Sequence, residues 1–327
     1  MTNPRDLQAR PQVLSLGSIN ADFQVRVERR PQLSETLVAS DFLRLSGGKA
    51  ANVAFLARKL GVEARLFAHA GTDDLARQAL APLRAMGVDL SGVRQVADAN
   101  TGVAMIMVPP DAKKGIVMAV NANDAWNEAD ADAALQAISG APADSVLAVD
   151  CEIPAFVAER ALRAARRRGL KTILDPSPAD RVTDAMLEAA DMVIPDSGEA
   201  HGLTGIECKD PQSAMKAGER LCERGAAVAC IKLPDGGCVV VGEGRRAWIP
   251  AVPVKVTDTT GAGDAFAGAL AVAVLERRSC LEAARFAVAA SHLAVTGYGS
   301  QPAFPGREDI QQMEQRLCVR TDVESQD

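Results

Sequence analysis

Six short runs of consecutive apolar residues are spaced along the chain, at 13–17 (VLSLG), 64–69 (ARLFAH), 145–150 (SVLAVD), 171–175 (KTILD), 191–195 (DMVIP) and 227–233 (AVACIKL). Runs this short, without polar alternation, predict strands covered on both faces, as in a parallel sheet. Between them, helical periodicity predicts helices over 51–60, 74–86, 128–139, 155–168, 211–224, 263–276 and 280–296. Such alternation of strands and helices implies βαβ units with right-handed crossovers, and hence an α/β core. Two stretches break the pattern. Residues 20–46 alternate apolar and polar, with Phe23, Val25 and Val27 on one face, and read as a half-exposed strand pair. Residues 102–120 read as a hairpin turning through 109–115. Together they predict a small second sheet with an apolar face that needs a cover, either a substrate or a second subunit.

Composition narrows the partners. Of 327 residues, 48% are hydrophobic, which suits a large core and excludes a disordered chain. A formal net charge of −6 argues against a nucleic-acid surface, so small molecules are the expected partners. The seven cysteines (151, 208, 222, 230, 238, 280 and 318) form no C-x-x-C pair and read as reduced, mostly buried thiols. His69, His201 and His292 lie at no zinc-ligand spacing from them. The opening MTNPRDLQARPQ lacks the apolar centre of a signal peptide, and no apolar run approaches the roughly 18 residues of a membrane span. A cytoplasmic protein with no membrane partner is expected. No Gly-, Pro- or Ser-rich linker divides the chain, which reads as one domain over 1–327 ending in a solvated tail, TDVESQD.

Two glycine-bearing segments carry candidate chemistry. In Asp258-Thr259-Thr260-Gly261-Ala262-Gly263-Asp264, the glycines precede a small-residue helix. The free N–H groups of a first helical turn, with the helix dipole, stabilise an anion there. An aspartate at the same turn would repel phosphate. It makes sense as a base that takes a proton from a hydroxyl attacking phosphorus, or equally as a plain helix cap, and these residues alone leave both open. Gly47-Gly48-Lys49-Ala50-Ala51-Asn52 likewise leads into a helix, although ordinary turn chemistry would also explain it. Neither segment is a Walker A loop, and GAGDAF lacks the third glycine of a dinucleotide fingerprint.

The two segments, in this order and together with Gly61 and Gly71, resemble the paired signatures of the ribokinase family of sugar kinases, within the phosphofructokinase-B superfamily. The likeness runs from LGSINAD (16–22) to TGYGSQPAFP (296–305). It implies a ribokinase-like three-layer α/β/α domain with a mainly parallel central sheet. Segments 20–46 and 102–120 would form a lid, which often pairs with a second subunit's lid, so a homodimer is expected. The activity implied is transfer of the γ-phosphoryl group of ATP to a small sugar, D-ribose foremost. Fructokinase, nucleoside kinase and 2-keto-3-deoxygluconate kinase are the alternatives within the family, and a non-catalytic sugar- or nucleotide-binding protein on the same fold is the alternative outside it.

Carried over by position, the resemblance makes Asp264 the catalytic base and the amides of Gly261, Ala262 and Gly263 the anion hole. It assigns Asn20, Asp22, Gly48, Lys49, Asn52 and Glu152 to the sugar, together with Asp264. For Asn20 and Asp22 the residues alone also allow an Asx turn, and for Glu152 a carboxylate at a helix start. The nucleotide side would use Asp196, Glu199, Lys232, Asp235, Gly237 and Gly263, with Glu199 serving magnesium directly or through water. Two departures stand out. Asp196 occupies the place of the family's asparagine, and Pro234 that of a glycine, where it removes a backbone donor. An activating potassium ion would use Asp258, Thr260, Ala294, Gly297, Gly299 and Ala303, the last replacing a serine.

Overall fold

The computed structural model describes residues 10–321, so the start of MTNPRDLQARPQ and all but the first residue of TDVESQD lie outside the described residues. The strands are β1 (Val13–Leu16), β2 (Asn20–Arg26), β3 (Leu43–Gly47), β4 (Ala64–Gly71), β5 (Asp89–Val96), β6 (Gly102–Val108), β7 (Gly115–Ala119), β8 (Val146–Asp150), β9 (Lys171–Asp175), β10 (Met192–Val193), β11 (Val228–Lys232), β12 (Cys238–Gly242), β13 (Arg245–Ile249) and β14 (Arg320–Thr321). The helices are α1 (Lys49–Lys59), α2 (Asp74–Met86), α3 (Glu128–Ser139), α4 (Ala155–Arg168), α5 (Asp184–Ala189), α6 (Ser197–Thr204), α7 (Pro211–Glu223), α8 (Ala262–Leu275), α9 (Cys280–Ala294) and α10 (Arg307–Glu314).

The large sheet has the order β14-β13-β12-β11-β10-β9-β8-β1-β4-β5. It is parallel from β11 through β5, and its β11–β14 end is antiparallel. Neighbouring residues of one strand feed opposite cores. Val13 and Val146 join a cluster with α1, α8 and α9, while Leu14 and Leu147 join one with α3, α4 and α7. Burial on both faces is why these strands read as unbroken apolar runs. Helix α8 lies at the centre of its layer, with every residue from Ala265 to Ala273 buried. Its Gly268 lets it approach α1 closely, since a Cβ there would stand 3.1 Å from Leu56.

The second sheet has the order β3-β2-β6-β7, with β2 antiparallel to β3 and parallel to β6, and with the 102–120 hairpin in register from Val103↔Ala119 to Met107↔Gly115. The apolar alternation in 20–46 places its residues opposite to a usual half-exposed strand. Asn20, Asp22 and Gln24 are buried, while Phe23 and Val25, on the opposite face, are only partly so. Strands β5, β12, β13 and β14 and helices α5, α6 and α10 are absent from the expectations above, and the 191–195 run yields only a two-residue strand.

Candidate active site

The site lies beyond the carboxyl ends of β1, β8 and β9, the usual position for ligands in an open α/β sheet. Two helix N-termini, those of α1 and α8, point into it. At α1, Gly48 has φ 93, and a Cβ there would meet Ile19 Cα at 2.5 Å, so only glycine lets the helix start this close to the β1–β2 turn. Gly47 leaves room for a carboxylate, because a Cβ on it would fall 2.0 Å from Asp22 Oδ2.

Helix α8 opens at Gly261, which has φ 76 and makes no side-chain cap. Asp264 therefore does not cap its helix. Its Oδ2 accepts a 2.7 Å hydrogen bond from Asn52 Nδ2 on α1. Gln301 Nε2 donates to Asn52 Oδ1 at 3.0 Å and to Ser46 Oγ at 3.0 Å, which fixes the asparagine with its amide nitrogen toward the carboxylate. Gln301 has no counterpart in the sequence-derived set, and its polar side chain in SQPA gave no motif to find it by.

On the sugar side, Asn20 and Asp22 lie within β2 and form no Asx turn. Asn20 Oδ1 accepts from Asn123 Nδ2 at 2.8 Å, and among the described residues its own amide nitrogen meets only the Met118 sulfur, at 3.7 Å. Asp22 is buried, with Oδ1 lacking any partner among the described residues, and is pushed up to about 8 by desolvation first and then by Asp264 and Glu152. Glu152 is also raised by burial and caps no helix, since α4 begins at Ala155 without a side-chain cap. Asp150, which the sequence showed only as a strand end, accepts from Ser18 N at 3.0 Å and Glu152 N at 2.9 Å and so shapes the turn under the site. Burial alone would lower Lys49, but Asp175, Asp264 and Glu152 outweigh it and keep the ammonium charged. Its nearest carboxylate is Asp175, at 3.5 Å.

The other side of Asp264 is a cleft of about 570 Å³ lined by Lys49, Asp196, Glu199, Lys232, Gly263 and Asp264 among others. Asp196 caps α6, its side chain accepting from Glu199 N at 2.8 Å while Glu199 Oε2 accepts from Asp196 N at 2.7 Å. The acid in the family's asparagine position is thus a helix cap, a role either residue fills equally. The second Glu199 oxygen accepts no bond among the described residues, which fits a hydrated magnesium ion. Pro234 sits in the β11–β12 turn, where Leu233 N donates to Gly237 O at 2.8 Å, Gly236 N to Leu233 O at 3.0 Å and Gly237 N to Asp235 Oδ1 at 2.8 Å. Those three amides are spent inside the turn, so Asp235 and Gly237 serve its shape before any nucleotide.

The six positions assigned to a monovalent cation come together. Gly299 N donates to Asp258 Oδ2 at 2.9 Å, Gly297 N to Ala294 O at 3.4 Å, and Ala303 packs against Gly297. The Asp258 carboxylate is saturated: Thr260 N and Oγ1 donate to Oδ1, and Gln24 Nε2 also donates to Oδ2, at 2.7 Å. The carbonyl oxygens of Asp258, Thr260, Gly297 and Gly299 accept nothing among the described residues and fit a potassium ion, with the Asp258 side chain holding the loop instead.

The pattern of the pfkB family carbohydrate kinases matches residues 10–307. The ribokinase of Haemophilus influenzae is 33% identical over 294 residues, covering 90% of this chain and 95% of that protein. The ribokinase of Mus musculus is 33% identical over 306 residues, covering 91% and 93%. The structure of Arabidopsis thaliana ribokinase complexed with ribose and ATP superposes with a TM-score of 0.82 at 30% identity, covering 93% of this chain and 98% of that one. With the shared fold, these likenesses bear out the resemblance read from the motifs: the chain belongs to the pfkB family and is a carbohydrate kinase.

Proposed function

We propose that the chain transfers the γ-phosphoryl group of ATP to the 5-hydroxyl of D-ribose, giving ribose 5-phosphate and ADP. The observation that carries this reading is the placement of Asp264. Its carboxylate is held by Asn52, at the first turn of α8, between the buried polar groups of β2 and the cleft of the β11–β12 turn. A hydroxyl held there can give its proton to Asp264 as its oxygen attacks phosphorus. The amides of Gly261, Ala262 and Gly263, with the dipole of α8, face the charge that gathers on the phosphoryl group. The buried Asp22 Oδ1, which has no partner among the described residues, and the weakly satisfied amide of Asn20 suit sugar hydroxyls, which need one acceptor and one donor each. A carboxyl kept protonated near neutral pH, as burial keeps Asp22, can also donate to a hydroxyl oxygen. Ribokinase relatives and the ribose–ATP complex of the Arabidopsis thaliana enzyme support ribose as acceptor and ATP as donor.

Magnesium, entering with ATP, would be met by Glu199, and potassium by the carbonyls of Asp258, Thr260, Gly297 and Gly299. Both would supply positive charge near the phosphates. A homodimer formed through the small sheet and a cytoplasmic setting belong to the same reading. The test is an ATP-consumption assay over ribose, deoxyribose, fructose, 2-keto-3-deoxygluconate, adenosine, inosine and fructose 6-phosphate, with and without potassium. Highest kcat/KM on ribose is expected. A clear preference for another acceptor would replace ribose, and turnover of none with retained binding would sink the kinase reading.

A further inference from the structure

Lys114 closes the loop between β6 and β7, and the chemistry above makes no use of it. Two hydrogen bonds tie this loop to the segment that opens α8. Thr259 Oγ1 donates to the Ala112 carbonyl at 2.8 Å, and Lys114 Nζ donates to the Thr259 carbonyl at 3.3 Å. The tip of the small sheet is thereby fastened beside Gly261, Ala262, Gly263 and Asp264, all of which line the same cleft as Lys114. The two other lysines of this cleft already have a partner: Lys49 and Lys232 reach Asp175 at 3.5 and 4.0 Å. Lys114 has no carboxylate within 4.0 Å among the described residues, and its single acceptor leaves two N–H groups unmatched. Burial lowers its hold on the proton, while the field of Asp264, Asp258 and Asp22 works against that and Lys49 adds to it. A half-buried cation with one neutral partner calls for an anion that the protein itself does not supply.

We propose that Lys114 is a catalytic residue whose ammonium contacts the peripheral oxygens of the phosphoryl group as it passes from ATP to the sugar. The inference rests on the kinase reading above. In that step the sugar oxygen bonds to the γ-phosphorus, the bond to the β–γ bridging oxygen breaks, ADP leaves with the electron pair, and the hydroxyl proton goes to Asp264. Lys114 stays protonated throughout. Charge in a loose phosphoryl transition state spreads over three oxygens, and a compact ammonium with free donors matches it without demanding one orientation. Because β6 pairs with β2, the ammonium is carried on the same sheet as Asn20 and Asp22. One sheet thus bears both the sugar-facing groups and this charge.

The test compares wild type with Lys114→Met, which keeps the stem and removes the charge, and with Lys114→Arg, which keeps the charge. The wild-type sugar panel is run first and supplies the best acceptor, so failure on ribose alone corrects the substrate and leaves this comparison intact. In Lys114→Met, kcat falls by about 10²–10³ with the sugar KM changed by no more than about threefold, and Lys114→Arg recovers at least about tenfold of the loss. The second readout is calorimetric binding of ADP, magnesium and aluminium fluoride with sugar, a mimic of the phosphoryl group in flight. The Met variant loses about a hundredfold in affinity for this mimic and holds ADP alone as tightly as wild type. A kcat within about threefold of wild type overturns the proposal, as does equal loss of ADP and mimic. Should Lys114→Met fail to fold, Lys114→Gln takes its place under the same criteria.

Discussion

Asp264, in the first turn of α8, and Asp22, within β2, are both carboxylates of the site, and their surroundings give them different tasks. Asp264 accepts from Asn52 at 2.7 Å and points where a hydroxyl can meet it. Asp264→Asn keeps an acceptor for Asn52 but cannot take a proton. It is expected to retain sugar affinity and to lose about 10²–10⁴ in kcat, checked by steady-state kinetics beside calorimetric sugar binding. A near-wild-type rate would remove Asp264 from the mechanism. Asp22 shows the cost of burial, being pushed up to about 8. The folded chain then holds a proton on Asp22 that the unfolded chain releases near pH ~4. Its contribution to stability is fully present below that lower value and is lost as pH rises through about 8. The urea midpoint of wild type should therefore fall between pH 5 and pH 8 more than that of Asp22→Asn, by an amount worth on the order of a few kcal/mol. Parallel curves for the two proteins would mean that Asp22 ionises freely in the fold.

Elements differ in how openly the sequence announces them. Strands β1, β8 and β9, buried on both faces, stood out as apolar runs. Strand β5, DLSGVRQV at the sheet's edge, has no buried residue and carries no such run, so no apolar pattern announces it. The β12–β13 hairpin is hidden differently: β12 holds an apolar VVV, but antiparallel pairing after a series of parallel strands breaks the βαβ pattern on which the expectations rest. Helix α6 is short and polar, and its start was read as a nucleotide motif when it is first a capping box. That double use yields an element-scale prediction. Asparagine caps as well as aspartate, so Asp196→Asn should leave the melting temperature in place and lower the KM for ATP several-fold by removing a carboxylate from the phosphate side of the cleft. A raised KM that recovers with added magnesium would instead make Asp196 a metal contact. Asp196→Ala loses the cap and should cost about 1 kcal/mol in denaturant unfolding.

At the scale of the whole molecule, the site is made by contacts that no local pattern contains. Asn52 and Asp264 are 212 residues apart in sequence, and Gln24 and Asp258 are 234 apart. The motifs therefore located the two glycine turns, while Gln24, Gln301 and Lys114 emerged only once the small sheet was set against the large one. The same sheet poses the remaining question of assembly. Its register puts Phe23, Met105 and Val117 side by side on the surface away from the site. Met105 is 55% exposed, Val117 70% and Phe42, stacked on Phe23, 57%. The face turned to the site instead carries Asp22 and Gln24, both buried. A contiguous apolar face on an open four-stranded sheet is unusual for a surface that stays in water, and a second copy of the same sheet would cover it symmetrically. Sedimentation velocity of wild type should give a dimer at micromolar concentration, and Met105→Asp with Val117→Asp should give a monomer, since each new carboxylate would be buried without a partner in the assembled form. The variant should bind ADP as wild type does, because the β11–β12 turn and α8 are untouched, while its sugar KM rises as the sheet loses its support. A wild type that sediments as a monomer would leave this face open to water and end the dimer reading.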